Sequence, residues 1–203
     1  MSANTEFHIH HDSPEVVGRR ERLGVRLLIV ADGAFLFGML FTFFYLKNLD
    51  LSSSWLPQKK EHVFSIASNW LGTIPMIIAF LTHKAGQRNL KSMGSFSILT
   101  FLALAVGLVY QINQMANMPF IDPETHVFDG AYASNWVLMA GANTFHYIIG
   151  AFLALGLVLR AKRANVDPTL ETWRMRTAAS WFTWIAVSGV IRSEEHTSEL
   201  QSH

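Results

Sequence analysis

An all-α, polytopic membrane bundle of five helices is the fold this sequence predicts, and three observations predict it. The first is a series of apolar, nearly uncharged stretches at residues 27–46, 63–82, 94–112 and 133–159, with a further one at 177–191. Crossing a hydrocarbon core takes roughly 20 such residues, and a helix is the one open-ended element that satisfies every backbone group internally there. The second is that half of the 203 residues are apolar while charge is confined to tails and loops. The third is the placement of the basic residues, which alternates from loop to loop.

The first span, 27–46, follows a polar, charged tail at 1–26 that has no apolar core of its own and so does not read as a cleaved signal peptide. The span itself must direct insertion. The second, 63–82, contains an isolated Pro75, which predicts a local kink. The third and fourth, 94–112 and 133–159, are uninterrupted. The fifth, 177–191, breaks off in mid-pattern and is followed by Arg192 and then three Glu, a sequence that makes no sense at bilayer depth. Residues 192–203 resemble the translation of a sequencing-library adapter, so they are read as a non-native tail and the fifth span as truncated.

Orientation follows from Lys and Arg. Arg19, Arg20, Arg22 and Arg26 precede the first span, Lys84, Arg88 and Lys91 follow the second, and Arg160, Lys162, Arg163, Arg174 and Arg176 follow the fourth. The opposite loops hold only Lys47, Lys59 and Lys60, and the loop around Asp122, Glu124 and Asp129 has none. The positive-inside rule then places the N-terminus in the cytoplasm. The loops are short and punctuated by Pro57, Pro119, Pro123 and Pro168, so no soluble domain is expected between spans.

Two ionisable residues lie within spans. Asp32 sits about 8 Å past the start of the first at 1.5 Å per residue. A carboxylate there is protonated, paired with a cation such as Arg26, or in contact with water or a neighbouring subunit. It reads either as a proton-handling or docking group or as an acid reaching the headgroups. His146, near the middle of the fourth span, shares a face with Ala142, Gly150 and Ala154, whose small side chains let helices approach closely. It is expected to point into a helix interface as a neutral, hydrogen-bonded imidazole, with Asn143 as a polar neighbour. No second ligand on a nearby turn completes a metal site.

Composition narrows the chemistry. The absence of Cys removes thiolate ligands and nucleophiles. A haem or copper centre needs several inward-facing ligands, and the spans offer only His146 and the helix-end His83. The scattered Met residues are expected to fill packing gaps. The tail residues His8, His10, His11 and Asp12 form a short polar tract more often disordered than metal-binding.

The run 28–45, Leu-Ile-Val-Ala-Asp-Gly-Ala-Phe-Leu-Phe-Gly-Met-Leu-Phe-Thr-Phe-Phe-Tyr, resembles the first core helix of subunit III of haem-copper oxidases, with Asp32 at its acidic position. The segment 141–150, Gly-Ala-Asn-Thr-Phe-His-Tyr-Ile-Ile-Gly, is similar to the family's Gly/His-rich segment, with His146 at the second of two His positions and Arg160 closing the helix. The resemblance extends from Arg22 to about Ile191. It departs from the family at Asn143, which replaces the first His. It departs again at the end of the third span, where Gln111, Asn113 and Gln114 stand in place of an acid. A Trp-His-Phe-x-Asp pattern expected in the last helix is missing: aligned on Trp181 its polar positions hold Phe182 and Ile185, and aligned on Trp184 they hold Ile185 and Ser188.

The resemblance implies a cytochrome c oxidase subunit III-like fold and a non-catalytic subunit of a respiratory haem-copper oxygen reductase in a prokaryotic plasma membrane. Its expected partners are oxidase subunits I and II and membrane lipids, with no nucleic acid. Haem and copper would belong to the partner subunits, with none on this chain, and a bound phospholipid is expected. Asp32 and His146 are the expected proton-related or subunit I contact residues, and Ala142, Asn143, Gly150 and Ala154 the packing residues. The rival readings are a subunit III-like accessory protein of a nitric-oxide reductase, a small proton-coupled carrier using Asp32 and His146 as a relay, and an assembly protein.

Overall fold

The computed structural model describes residues 12–49, 66–88, 90–118, 130–161 and 167–201, and every regular element among them is helical. The order is α1 (Pro14–Asn48), α2 (Ile66–Leu71), α3 (Ile74–Gly86), a 3-10 turn at Leu90–Ser92, α4 (Met93–Ala116), α5 (Gly130–Arg160) and α6 (Pro168–Gln201). On length and hydropathy, α1, the Leu90–Ala116 segment and Ala131–Arg160 are each able to cross a membrane. The protein is thus an integral membrane helical bundle. The tail residues His8, His10 and His11, the loop residues Pro57, Lys59, Lys60, Pro119, Asp122, Pro123, Glu124, Asp129, Lys162 and Arg163, and the start of the second predicted span lie outside the described residues.

Three boundaries differ from the hydropathy pattern, and the two helix starts among them have a local reason. Helix α1 begins at Pro14, within the polar tail. Proline is at home in a helix's first turn, where its missing N–H is not needed, and the Ser13 carbonyl accepts from Val16 and Val17 at 2.9 and 3.1 Å. Helix α6 opens the same way at Pro168, where Asp167 Oδ1 accepts the Leu170 N–H at 3.0 Å as a helix cap. At its far end α6 does not stop at Ile191 but continues through the adapter-like residues to Gln201.

The second span is not merely kinked but divided, α2 ending at Leu71 and α3 starting at Ile74 with Pro75 in its first turn. Proline removes the hydrogen bond to the carbonyl four residues back and crowds it. Exposed peptide groups at this depth need partners, and neighbouring helices supply them. The Tyr147 hydroxyl of α5 donates to the Gly72 carbonyl at 2.6 Å. On α4, the Tyr110 hydroxyl and the Gln114 amide also donate, at 3.1 and 3.3 Å, to the Ser68 carbonyl, which accepts the Gly72 N–H at 3.2 Å as well, and so tie α2 to α4.

Packing follows a simple scheme. Helix α1 lies along α6, α4 lies against α3 on one side and α5 on the other, and α6 closes onto α3 and α5. The pairs Gly18 with Trp173 and Gly33 with Trp184 make α1 and α6 parallel, whereas Gly107 with Tyr147 and Gly94 with Ala161 make α4 and α5 antiparallel. Within a membrane, helices associate through close fit and hydrogen bonds, since lipid removes the hydrophobic drive between them. Gly107 shows how close the fit is: a Cβ there would stand 2.2 Å from Tyr147 Cε1. The main core gathers Met76, Leu104, Tyr147, Ala154, Trp181, Phe182 and Ile185. A second cluster joins Leu36, Met39 and Phe43 of α1 to Tyr132 and Met139 of α5.

The polar ends of α1 and α6 are tied together. Arg174 bonds Glu171 Oε1 at 2.7 Å and reaches Glu21 of α1 at 3.5 Å. Desolvation works against the Arg174 charge, yet the hydrogen bond and charge of Glu171, backed by Glu21, hold its proton above the ordinary arginine value.

Candidate functional site: a buried acid, histidine and tryptophan

The site forms where α1, α5 and α6 meet. Asp32 is turned inward, its side chain 9% exposed, and the His146 side chain facing it is 2% exposed. His146 Nε2 stands 2.8 Å from Asp32 Oδ2. The Trp184 indole N–H donates to the same oxygen. An indole N–H can only donate, so Asp32 is an acceptor here, and an acceptor-only carboxylate fits that role. Trp181, three residues before Trp184 and therefore on the same side of α6, sets its ring edge-on to His146 at 5.7 Å between centroids. On this side the imidazole is thus fixed by one hydrogen bond and one aromatic wall.

The other His146 nitrogen, Nδ1, lies 3.0 Å from a guanidinium nitrogen of Arg192, whose Nε also donates to the Ser188 carbonyl at 3.1 Å. Guanidinium has no acceptor, so Nδ1 accepts and Nε2 carries the hydrogen given to Asp32. Ser193 likewise pairs with Thr73 at 2.6 Å. Arg192 and Ser193 belong to the adapter-like tail, whereas Asp32, His146, Trp181 and Trp184 precede it.

Asn143 turns to α4, where its amide donates to Gln111 Oε1 at 2.9 Å. These are two of the positions at which the sequence departs from the oxidase subunit III pattern, and they face each other. Gln111 is 3% exposed, so the pair lies inside the bundle. Ala154 is fully buried in the main core, Gly150 lies against Leu104 and Ile185, and Ala142 packs beside the Leu36, Met39 and Phe43 cluster. His83, at the end of α3, holds the Met175 carbonyl at 3.0 Å and lies against Phe182 at 4.7 Å between ring centroids. Among the described residues, no three His, Asp or Glu side chains are gathered as a metal site.

Sequence reasoning singled out Asp32 and His146, joining them only as the relay of the carrier reading, and the fold brings them into direct hydrogen-bond contact. Arg26, considered as a partner for Asp32, is not among its hydrogen-bond partners, and Trp184 takes that place. A signal for Trp184 exists, since a buried indole N–H needs an acceptor and Asp32 is the strongest one inside a span. Tyr147 was also missed; a mid-span phenol needs an acceptor, and the Pro75 break provides one.

Chemically the arrangement holds a carboxylate and an imidazole in direct hydrogen-bond contact inside a helix bundle. Such a pair can pass or share a proton, and with Trp184 it ties α1, α5 and α6 together.

No family model matches the chain. Similarity to curated proteins is found with cytochrome c oxidase subunit 3 of Cyanidium caldarium, 22% identical over 169 residues and covering 79% of this chain and 60% of that protein. The subunit 3 of Chondrus crispus is 24% identical over 160 residues, covering 75% and 57%. That of Prototheca wickerhamii is 27% identical over 157 residues, covering 73% and 57%. The chain therefore spans less than two thirds of the length of these relatives. Taken with the all-helical membrane bundle and the acid-bearing, aromatic-rich first helix, these matches relate the chain to the cytochrome c oxidase subunit 3 family.

Proposed function

We propose that this chain is the non-catalytic subunit III of a respiratory haem-copper oxygen reductase, seated in a prokaryotic plasma membrane with its N-terminus cytoplasmic. It packs against subunit I in a complex that also holds subunit II, and it supports proton uptake during electron transport to oxygen. Haem and copper chemistry belongs to the partner subunits. The observation that carries this reading is the Asp32, His146 and Trp184 cluster: the two residues on which the resemblance to subunit III rests, Asp32 and His146, are in direct hydrogen-bond contact.

Two further features support it. Helix α1 keeps most of its apolar surface outside the fold, with only 17% of its most apolar window buried. Phe37 and Phe41, 70% and 62% exposed, offer an aromatic face to lipid or to subunit I. Between α1, α5 and α6 an opening of about 360 Å3, lined by Val25, Leu153, Leu157, Arg160, Arg174 and Glu21 among others, combines apolar walls with the Arg160 guanidinium and the Arg174–Glu21 pair. That combination suits the bound phospholipid expected of such a subunit.

Deleting the chain from its host tests the proposal. The reading requires oxidase that keeps its haem content in membranes but loses oxygen-uptake activity faster during turnover. Uptake that starts and decays as in the parent strain contradicts it, and a defect confined to nitric-oxide consumption moves the chain to a nitric-oxide reductase.

A further inference from the structure

Arg19, Arg22 and Arg26 recur at three- and four-residue spacing and so share one face of α1. Beside them opens a cavity of about 260 Å3 lined by these arginines, Leu23 and Trp173 of α6. Trp173 reaches this place because Gly18 lets α6 approach: a Cβ on Gly18 would stand 2.5 Å from Trp173 Cγ.

The charges around the cavity do not balance. Asp12 is engaged by Arg20, Glu15 lies 3.9 Å from Arg19, and Glu21 and Glu171 both serve Arg174. Asp167 caps α6, and Asp32 belongs to the site in mid-bundle. Among the described residues, Arg22 and Arg26 thus have no carboxylate partner. Arg22 Nε is moreover buried without a hydrogen-bond partner. A partly desolvated guanidinium without a counter-charge is unfavourable, and its planar fork matches phosphate oxygens two at a time.

Depth selects the kind of anion. Arg26 directly precedes the first span, and at 1.5 Å per residue Arg22 and Arg19 lie about 6 and 10 Å farther out, within the layer that headgroups occupy. An indole is at home at that level. Leu23 and Leu27, 58% and 62% exposed, extend the same region toward the acyl chains. An acidic peptide would match the charge alone, whereas a lipid matches charge, depth and the apolar flank together.

We propose that the pocket of Arg19, Arg22, Arg26 and Trp173 binds the phosphate headgroup of an anionic phospholipid. The pocket faces away from the Arg160 and Arg174 opening and does not depend on the oxidase reading. The test uses the full chain in mild detergent, titrated with phosphatidylglycerol, phosphatidylcholine or inorganic phosphate, with bound lipid read by native mass spectrometry and stability by the thermal midpoint. Phosphatidylglycerol is expected to bind at least about tenfold more tightly than phosphatidylcholine and to raise the midpoint. Arg22→Gln and Arg26→Gln should each weaken it about fivefold, and Arg26→Lys should retain most of the binding. Arg26 is exposed, so its variants decide the matter even if Arg22→Gln fails to fold. Equal binding of the two lipids, unchanged phosphatidylglycerol binding in Arg26→Gln, or a midpoint shift reproduced in full by inorganic phosphate would each overturn the proposal.

Discussion

His146 Nε2 stands 2.8 Å from Asp32 Oδ2, joining α5 to α1 across 114 positions of sequence in the interior of a membrane bundle. With Trp184 donating to the same oxygen, two N–H groups converge on one carboxylate. Removing the acceptor leaves both donors buried without a partner, while an amide oxygen at that place still accepts.

Asp32→Ala is therefore expected to destabilise the protein by about 2–4 kcal/mol, the cost of two orphaned donors, and Asp32→Asn by less. Thermal unfolding in detergent separates the two, and equal midpoints for both variants would show that the hydrogen bonds carry little. In the oxidase complex proposed above, Asp32→Asn should keep haem content while changing oxygen-uptake rate or its decay during turnover; unchanged kinetics on both counts contradicts the proposed proton-handling role of Asp32.

Trp184→Phe keeps the ring but withdraws one donor. A loss of about 1 kcal/mol is expected, with Asp32→Asn in the same background costing less than it does alone, because coupled partners are not additive. Strict additivity would mean that Trp184 and Asp32 do not share an interaction.

Tyr147→Phe takes away the hydroxyl that satisfies the Gly72 carbonyl at the break between α2 and α3. The expected cost is about 1–3 kcal/mol, read as a lowered thermal midpoint. Gly107→Ala, which drives a methyl group into the same ring, should cost more, about 3 kcal/mol or beyond. A wild-type midpoint for Gly107→Ala would contradict the close packing of α4 on α5.

Asn143 and Gln111 offer a double-mutant cycle. Gln111→Glu alone places an unpaired carboxylate in a buried position and Asn143→His alone an imidazole opposite an amide, so both should destabilise. Combined, they form an acid–base pair and should recover about 1–3 kcal/mol of the summed loss. A double variant as unstable as that sum would show that the two side chains do not meet.

The spans 27–46, 94–112 and 133–159 were legible in the sequence because bilayer thickness acts on composition directly: a run such as 27–46 has one physical reading. Asp32 and His146 were visible as isolated costs, since an ionisable group in a span demands a partner. Their direct contact was not visible, because it depends on how α1, α5 and α6 rotate about their axes, and nothing local to any one helix sets that. Pro75 announced a distortion, but the hydrogen bond that meets the Gly72 carbonyl at the full break comes from Tyr147 on another helix. The helical start at Pro14 was hidden by charge, because hydropathy reports where lipid begins and not where the helix does.

Purification through an N-terminal tag from gently solubilised host membranes, followed by a reduced-minus-oxidised spectrum of what accompanies the chain, tests the central claim most directly. Haem bands together with a large polytopic partner, and oxygen uptake by the isolated complex, are expected. A colourless preparation without a partner would contradict it and turn the Asp32 and His146 pair into the proton relay of a free-standing carrier.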